Sequence, residues 1–217
     1  MKGLDRIRLR REALEHERVF SGIYARREWG DSESVSGPGS GLARTVGVRD
    51  ELIRLLQELE VETFLDAGCG DFHWLCVAAL PVREYVGVDV VRQLIDELEV
   101  HQAAPGRAFL QADITRDRLP RVDFVLCREV LMHFPDHDVF AAVSNLKRTR
   151  ARWLLTTTFV DRERNDAIEL GSWRPLNLEA PPFEFPPALR TFDDVPLVDR
   201  EQFLDKRLAL WELQKLL

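Results

Sequence analysis

Three acidic residues, Asp66, Asp89 and Asp113, stand where short apolar runs give out, and two glycines, Gly68 and Gly70, follow the first of them. A carboxylate at a strand end can accept both hydrogen bonds of a vicinal diol such as a ribose presents. Glycine adopts positive φ readily and has no Cβ, so the peptide groups at Gly68 and Gly70 can bend sharply and lie against a ligand. Phosphate suits this turn poorly. Asp71 adds a further negative charge, and two like charges at about 4 Å repel by about 1 kcal/mol even in water. The third place of a dinucleotide glycine pattern, wanted small for close helix packing, is His73. A ribose, an adenine and a positively charged amino acid portion fit these acids better than a pyrophosphate does.

The elements that must hold these residues follow from the pattern of apolar positions. Thr63, Phe64 and Leu65 read as a strand, and Phe72, Trp74, Leu75, Val77 and Ala78 as one face of a following helix, so 66–71 is the turn between them. Residues 84–90 read as a second strand ending near Asp89 and Val90, and Val91, Leu94, Ile95 and Leu98 then repeat at helical spacing. Short strands are expected at 108–111, 122–127 and 152–159. A helix between the last two buries Val139, Ala142, Val143 and Leu146. Another helix over 49–59 presents Leu52, Leu55, Leu56 and Leu59 to the sheet. Strands alternating with helices specify an α/β fold, a mostly parallel sheet covered on both faces, whose ligand crevice lies at the carboxyl ends of the strands.

The two ends of the chain differ from this rhythm. Residues 1–27 mix charges with apolar Leu4, Ile7, Leu14 and Val19, which predicts one or two amphipathic helices in a solvated extension. Residues 30–41 are too rich in Gly and Ser for an element interior and read as a loop that acts as a lid, flanked by Tyr24 and Trp29. Residues 1–45 are therefore expected to form an N-terminal helical extension and lid loop on a domain spanning 46–217. Between 171 and 187, Pro175, Pro181, Pro182, Pro186 and Pro187 rule out a long helix or a central strand, so this is an ordered loop that buries Trp173, Phe183 and Phe185. Segments 189–192 and 207–213 are expected to close the sheet as a strand pair.

The chain has 217 residues, 45% of them hydrophobic and 31% charged, with a formal charge of -7. That balance argues against nucleic acid or an anionic membrane as the main partner. No apolar run approaches the roughly 20 residues needed to span a bilayer, and residues 1–11 lack the apolar core of a signal peptide. Cys69, Cys76 and Cys127 form no CxxC pair and suit a reducing compartment, so the cytoplasm is the expected location.

Residues 65–71, Leu-Asp-Ala-Gly-Cys-Gly-Asp, resemble the first motif of class I S-adenosylmethionine (SAM)-dependent methyltransferases, and Gly87-Val88-Asp89-Val90 resembles the motif after it. The similarity extends to Gln111-Ala112-Asp113, to 123–133 and over roughly 45–217, with a Rossmann-like sheet of seven strands. Ser36-Gly37-Pro38-Gly39-Ser40, 154–159 and 173–178 mark a narrower group within that superfamily. The resemblance implies that SAM is the cofactor and that Asp66, Gly68 and Gly70 form the methionine side of its pocket. Asp89, with Val90 beside it, would hold the ribose hydroxyls, Asp113 with Ile114 would address the adenine, and Arg128 would lie under the sulfonium. The usual third glycine of the first motif is Phe72 here.

Methyl transfer from a sulfonium is an in-line displacement that depends chiefly on alignment. Glu129 and His133, just past the fourth strand, are the candidates to orient or deprotonate the acceptor. Tyr24, Trp29, Trp173 and Asn177, from the two irregular segments, are expected to wall the acceptor site. His133 and His137 have i,i+4 spacing, but Pro135 between them and the lack of a third strong ligand argue against a metal. A DNA amino-methyltransferase needs an Asn/Asp-Pro-Pro-aromatic turn after the fourth strand, where Cys127-Arg128-Glu129-Val130 stands instead. The expected activity is methyl transfer to an O or N atom of a small molecule. A non-catalytic SAM sensor and an NAD-dependent oxidoreductase are the alternatives.

Overall fold

Apolar runs too short for helices pair side by side in the computed structural model, which describes residues 15–194 and 203–216. Strands β1 (Thr63–Ala67), β2 (Glu84–Asp89), β3 (Arg107–Gln111), β4 (Phe124–Cys127) and β5 (Trp153–Phe159) are mutually parallel. Strands β6 (Arg190–Asp193) and β7 (Lys206–Glu212) complete a seven-stranded sheet of order β3-β2-β1-β4-β5-β7-β6, with β7 antiparallel to both neighbours. The strand order reverses between β1 and β4, which opens a crevice at their carboxyl ends. Register at the opposite end is pinned by Asp123, whose Oδ2 accepts from both the backbone N and the Oγ1 of Thr63 at 2.8 Å.

Four α-helices are described: α1 (residues 15–26), α2 (Val46–Glu58), α3 (Arg92–His101) and α4 (Asp136–Lys147). Helices α2 and α3 cover one face of the sheet, burying Leu52, Leu55, Leu56, Leu94, Ile95 and Leu98 against Phe64, Phe124 and Leu126. Each such side chain contributes about 1.5 to 3 kcal/mol. The other face is covered by α4, through Val139, Ala142, Val143 and Leu146, and by the proline-rich loop, through Leu176, Leu178, Phe183 and Phe185.

Two expectations are corrected. The helix expected over 72–78 is a chain of turns: Phe72 has φ 57, and Cys76 N donates to Phe72 O. Phe72, Trp74 and Leu75 are buried on this path while Val77 is 55% exposed. An aromatic cluster decides the outcome, because Phe72 packs 5.0 Å from the ring of Tyr85 and 5.2 Å from that of Phe109. The described part of the N-terminal extension, from residue 15, packs on the domain rather than standing in solvent. In α1, His16 and Ile23 are buried, and Phe20 packs on Phe134 at 5.9 Å. Leu4, Ile7 and Leu14 lie outside the described residues.

Candidate active site

The glycine turn after β1 and the end of β2 lock each other in place. Gly68 (φ 87) and Cys69 donate their N–H groups to Val88 O at 2.9 Å, Gly70 (φ 55) donates to Asp89 Oδ2 at 3.1 Å, and Val91 donates to Asp89 Oδ1 at 3.0 Å. Val90 N–H adds a further backbone contact to this carboxylate, which still has acceptor positions left. Burial raises its pKa against those hydrogen bonds. The glycines are fixed sterically as well. A Cβ on Gly68 would stand 2.3 Å from Val130 Cγ2, and one on Gly70 would stand 2.2 Å from Ser36 Oγ.

Around this turn lies a cleft whose mouth opens to solvent. Its floor and walls are Gly68, Cys69, Gly70 and Trp74 from the first turn, Asp89, Val90, Val91 and Leu94 from β2 and α3, and Ala112, Asp113 and Ile114 after β3. Arg128, Glu129, Val130, His133 and Phe134 follow β4. The cover is His16, Phe20, Ile23 and Tyr24 of α1, then Trp29, Val35, Ser36 and Ser40.

Asp71 fastens part of that cover. Its Oδ2 accepts from Ser34 Oγ (2.8 Å) and Val35 N (2.9 Å), its Oδ1 accepts from Ser36 Oγ (3.1 Å), and its own N–H donates to Ser36 Oγ (2.9 Å). The carboxylate that disfavours phosphate is therefore also a clamp for the loop. Helix α1 is held by His16, whose ring lies 3.0 Å from Asp138 Oδ2 and 3.3 Å from Asp113 Oδ2. Burial works against the imidazolium, but the hydrogen bonds to Asp113 and Asp138 outweigh it and raise the pKa to about 9.

Of the residues singled out from sequence, Gly68, Gly70, Asp89, Val90, Asp113, Ile114, Arg128, Glu129, His133, Tyr24 and Trp29 all border the cleft. Several have partners that sequence did not disclose. Asp113 bonds Thr115 Oγ1 (2.6 Å) and pairs with His16 and with Arg116 Nε (2.7 Å). Arg128 holds Asp194 through Nε (3.2 Å) and Nη2 (2.7 Å), and its guanidinium lies 5.0 Å from the ring of Trp74. Glu129 has φ 61, donates its N–H to Thr157 Oγ1 at 2.9 Å, and pairs with Lys206. His133 stacks on Trp29 with ring centroids 4.2 Å apart, and its Nδ1 lies 3.0 Å from Ser172 O. A carbonyl only accepts, so Nδ1 carries the proton and Nε2 is the free acceptor. Burial lowers the His133 pKa to about 4, so the ring is neutral at pH 7.

Three residues are placed elsewhere. Asp66, 3% exposed, lies beneath the turn and accepts from Tyr85 Oη at 2.7 Å; burial pushes its pKa to about 7. Asn177 holds the proline-rich loop, donating through Nδ2 to Arg162 O at 2.7 Å. Trp173 is 47% exposed and leans edge-on against Phe159 and Phe203 at 6.0 Å, away from the cleft lining. The loop is anchored instead by Arg174, 2% exposed, which bonds Asp136 Oδ1 (2.6 Å) and Phe134 O (3.0 Å). Sequence reasoning missed His16 and Phe20. Their spacing with Ile23 and Tyr24 (i, i+4, i+7, i+8) was the available signal.

Among the described residues no group of His, Cys, Asp and Glu is placed to hold a metal ion, and no helix is long and apolar enough to cross a membrane.

The strand order, the reversal between β1 and β4 and the glycine turn beside Asp89 define the Rossmann-like fold of class I methyltransferases. Residues 43–187 match the model of a methyltransferase domain, and the chain belongs to that family. Among solved structures, magnesium protoporphyrin IX methyltransferase from Synechocystis PCC 6803 with bound S-adenosylhomocysteine (SAH) superposes with a TM-score of 0.56 at 18% identity, over 86% of this chain and 91% of that one. Human N-acetylserotonin methyltransferase in complex with SAM gives 0.53 at 13% identity, over 77% and 52%. The chain spans 66% of the length of a bacterial Hen1 methyltransferase domain, which covers 53% of this chain at 18% identity and a TM-score of 0.47. No curated protein matches the sequence.

Proposed function

We propose that this protein transfers a methyl group from SAM to an O or N atom of a small-molecule acceptor. The observation that carries the cofactor half is Asp89, held by Gly70 N and Val91 N with acceptor positions left on its carboxylate oxygens. Those oxygens receive the two ribose hydroxyls, beside Val90. The apolar wall of Ala112, Ile114 and Leu94 takes the adenine. Because the Asp113 side chain is committed to His16, Thr115 and Arg116, it acts by holding that wall. Gly68 and Gly70 bring backbone to the methionine portion, while Asp66 supports the turn from below through Tyr85. Asp194 neutralises Arg128, which would otherwise oppose a sulfonium.

Bound SAM supplies an electrophilic methyl group on a sulfonium. The chain's own contribution is to align the acceptor, which can lower the barrier by up to about 7 to 11 kcal/mol, and to receive its proton. His133, neutral and fixed by Ser172 O, orients the acceptor through Nε2, with Trp29 stacked behind it. Glu129 stands beside it as the proton acceptor. Residues 16–40 contribute the cover of the cleft, which supports reading residues 1–45 as a lid on the domain 46–217 and the acceptor as a small molecule. Free thiols at Cys69, Cys76 and Cys127 favour a reducing, cytoplasmic setting.

The test is incubation of the protein with SAM and a metabolite panel, with mass spectrometry for methylated product and SAH. Stoichiometric SAH and product are expected for at least one small acceptor. SAM binding with no methyl loss on any acceptor would favour a sensor, and binding of NAD with none of SAM an oxidoreductase.

A further inference from the structure

At the cleft wall past the end of β4 four charged side chains meet: Arg128, Asp194 and Lys206 are buried, and Glu129 is half-buried. Glu129 borders the cleft, and its carboxylate is hydrogen-bonded to Lys206 Nζ. Lys206, the first residue of β7, is 6% exposed. Its other acidic neighbour, Asp194, is 3.4 Å from Nζ and already bound through both oxygens by Arg128. The strong partner of the amine is therefore Glu129. Glu129 is also held against conformational preference: a non-glycine residue at φ 61 is strained, and the bond from its N–H to Thr157 Oγ1 helps to keep it there. Over it lies the loop, for a Cβ on Gly39 would be 3.1 Å from Glu129 Oε1.

We propose that Glu129 and Lys206 work as one proton-accepting pair at the acceptor end of the cleft, so that the acceptor is a protic nucleophile, a hydroxyl or an amine, and not a carboxylate. The proposal rests on the methyl-transfer reading above. A lone pair on the acceptor O or N forms the bond to the methyl carbon, and the electron pair of the broken carbon–sulfur bond stays on sulfur. The acceptor's proton passes to the Glu129 carboxylate and on to the Lys206 amine, leaving methylated acceptor, SAH and a lysine ammonium. Lys206 acts through Glu129 and touches no substrate, which makes it a positioning residue. The charged groups facing it act in opposite senses: the carboxylates of Glu129 at the end of β4 and of Asp194 after β6 favour the ammonium, while Arg128 and Arg44 disfavour it. Burial, reinforced by Arg128 and Arg44, holds the Lys206 pKa well below the ordinary lysine range, which favours an amine able to receive the proton. A carboxylate acceptor has no proton to lose and would meet the negative charge of Glu129.

The experiment is an NMR titration of protein labelled with carbon-13 at lysine Cε, with and without SAH, with the Lys206 signal assigned by its loss in both Lys206→Met and Lys206→Arg. Lys206 should titrate below the usual lysine value of about 10.4, and Glu129→Gln should move it further down by about one pH unit or more. Titration at the usual value, unmoved by Glu129→Gln, overturns the pair. Methyl ester formation from carboxylic acids in the acceptor panel overturns the substrate class. Failure of SAH to bind refutes the cofactor reading separately, because the Lys206 titration is read with or without it.

Discussion

His16 Nε2 lies 3.0 Å from Asp138 Oδ2 and so fastens the first described turn of α1 to the first turn of α4. The same ring faces Asp113 after β3, which makes this histidine the fastener of the helical part of the cleft's cover. Its folded pKa of about 9 exceeds the ordinary 6.5. The stability it contributes is fully present below pH 6.5 and is lost as pH rises through 9, up to about 3 kcal/mol in all. Hydrogen exchange of residues 15–26 should therefore accelerate between pH 8 and 10 beyond its intrinsic rise, and His16→Ala should show the loosened helix already at pH 7.

Asp71 accepts three hydrogen bonds from residues 34–36, so Asp71→Ala should release that loop. Limited proteolysis within 30–45 is expected to speed up, with about 1 to 3 kcal/mol of stability lost in denaturant titration. Gly70→Ala should produce the same nicking pattern by a different route, because its Cβ would collide with Ser36 at a backbone φ of 55.

Tyr85 and Asp66 make an internal pH gauge. The folded carboxyl keeps its proton to about pH 7, whereas an ordinary one loses it near 3.8. The folded state then binds more protons across that window, so this group's contribution to stability falls as pH rises from about 4 to 7. Tyr85→Phe removes the hydroxyl that supports the ionised form. Its stability deficit relative to wild type should be larger at pH 8 than at pH 5, by about 1 to 2 kcal/mol in urea unfolding.

The sheet was legible in the sequence because its signals are local. Apolar runs at strand length, glycines at Gly68 and Gly70 and acids at strand ends located β1 to β5 and the cleft. Side-chain partners that come from distant parts of the chain were not legible. Asp66 and Asp89 look alike in sequence, yet the hydroxyl of Tyr85 draws the first beneath the turn while the second stays on the cleft. Trp173 and Asn177 were read as site residues by their type, but Arg174 between them supplies the anchor that turns that loop away. The helix expected over 72–78 failed because ring packing among Phe72, Tyr85 and Phe109 outweighed a helical pattern. Lys206 and Asp194 carry no local sign of their role, which arises only when β7 inserts beside β5.

Whether Asp89 holds the ribose is read by calorimetric titration with SAH, on wild type and Asp89→Ala side by side. Saturable binding of one SAH per chain is expected for wild type, with affinity in the variant weaker by about 1 to 3 kcal/mol, or roughly 5- to 150-fold. Equal affinities in the two proteins would contradict the assignment of Asp89 to the ribose, and no heat of binding in wild type would contradict the site itself.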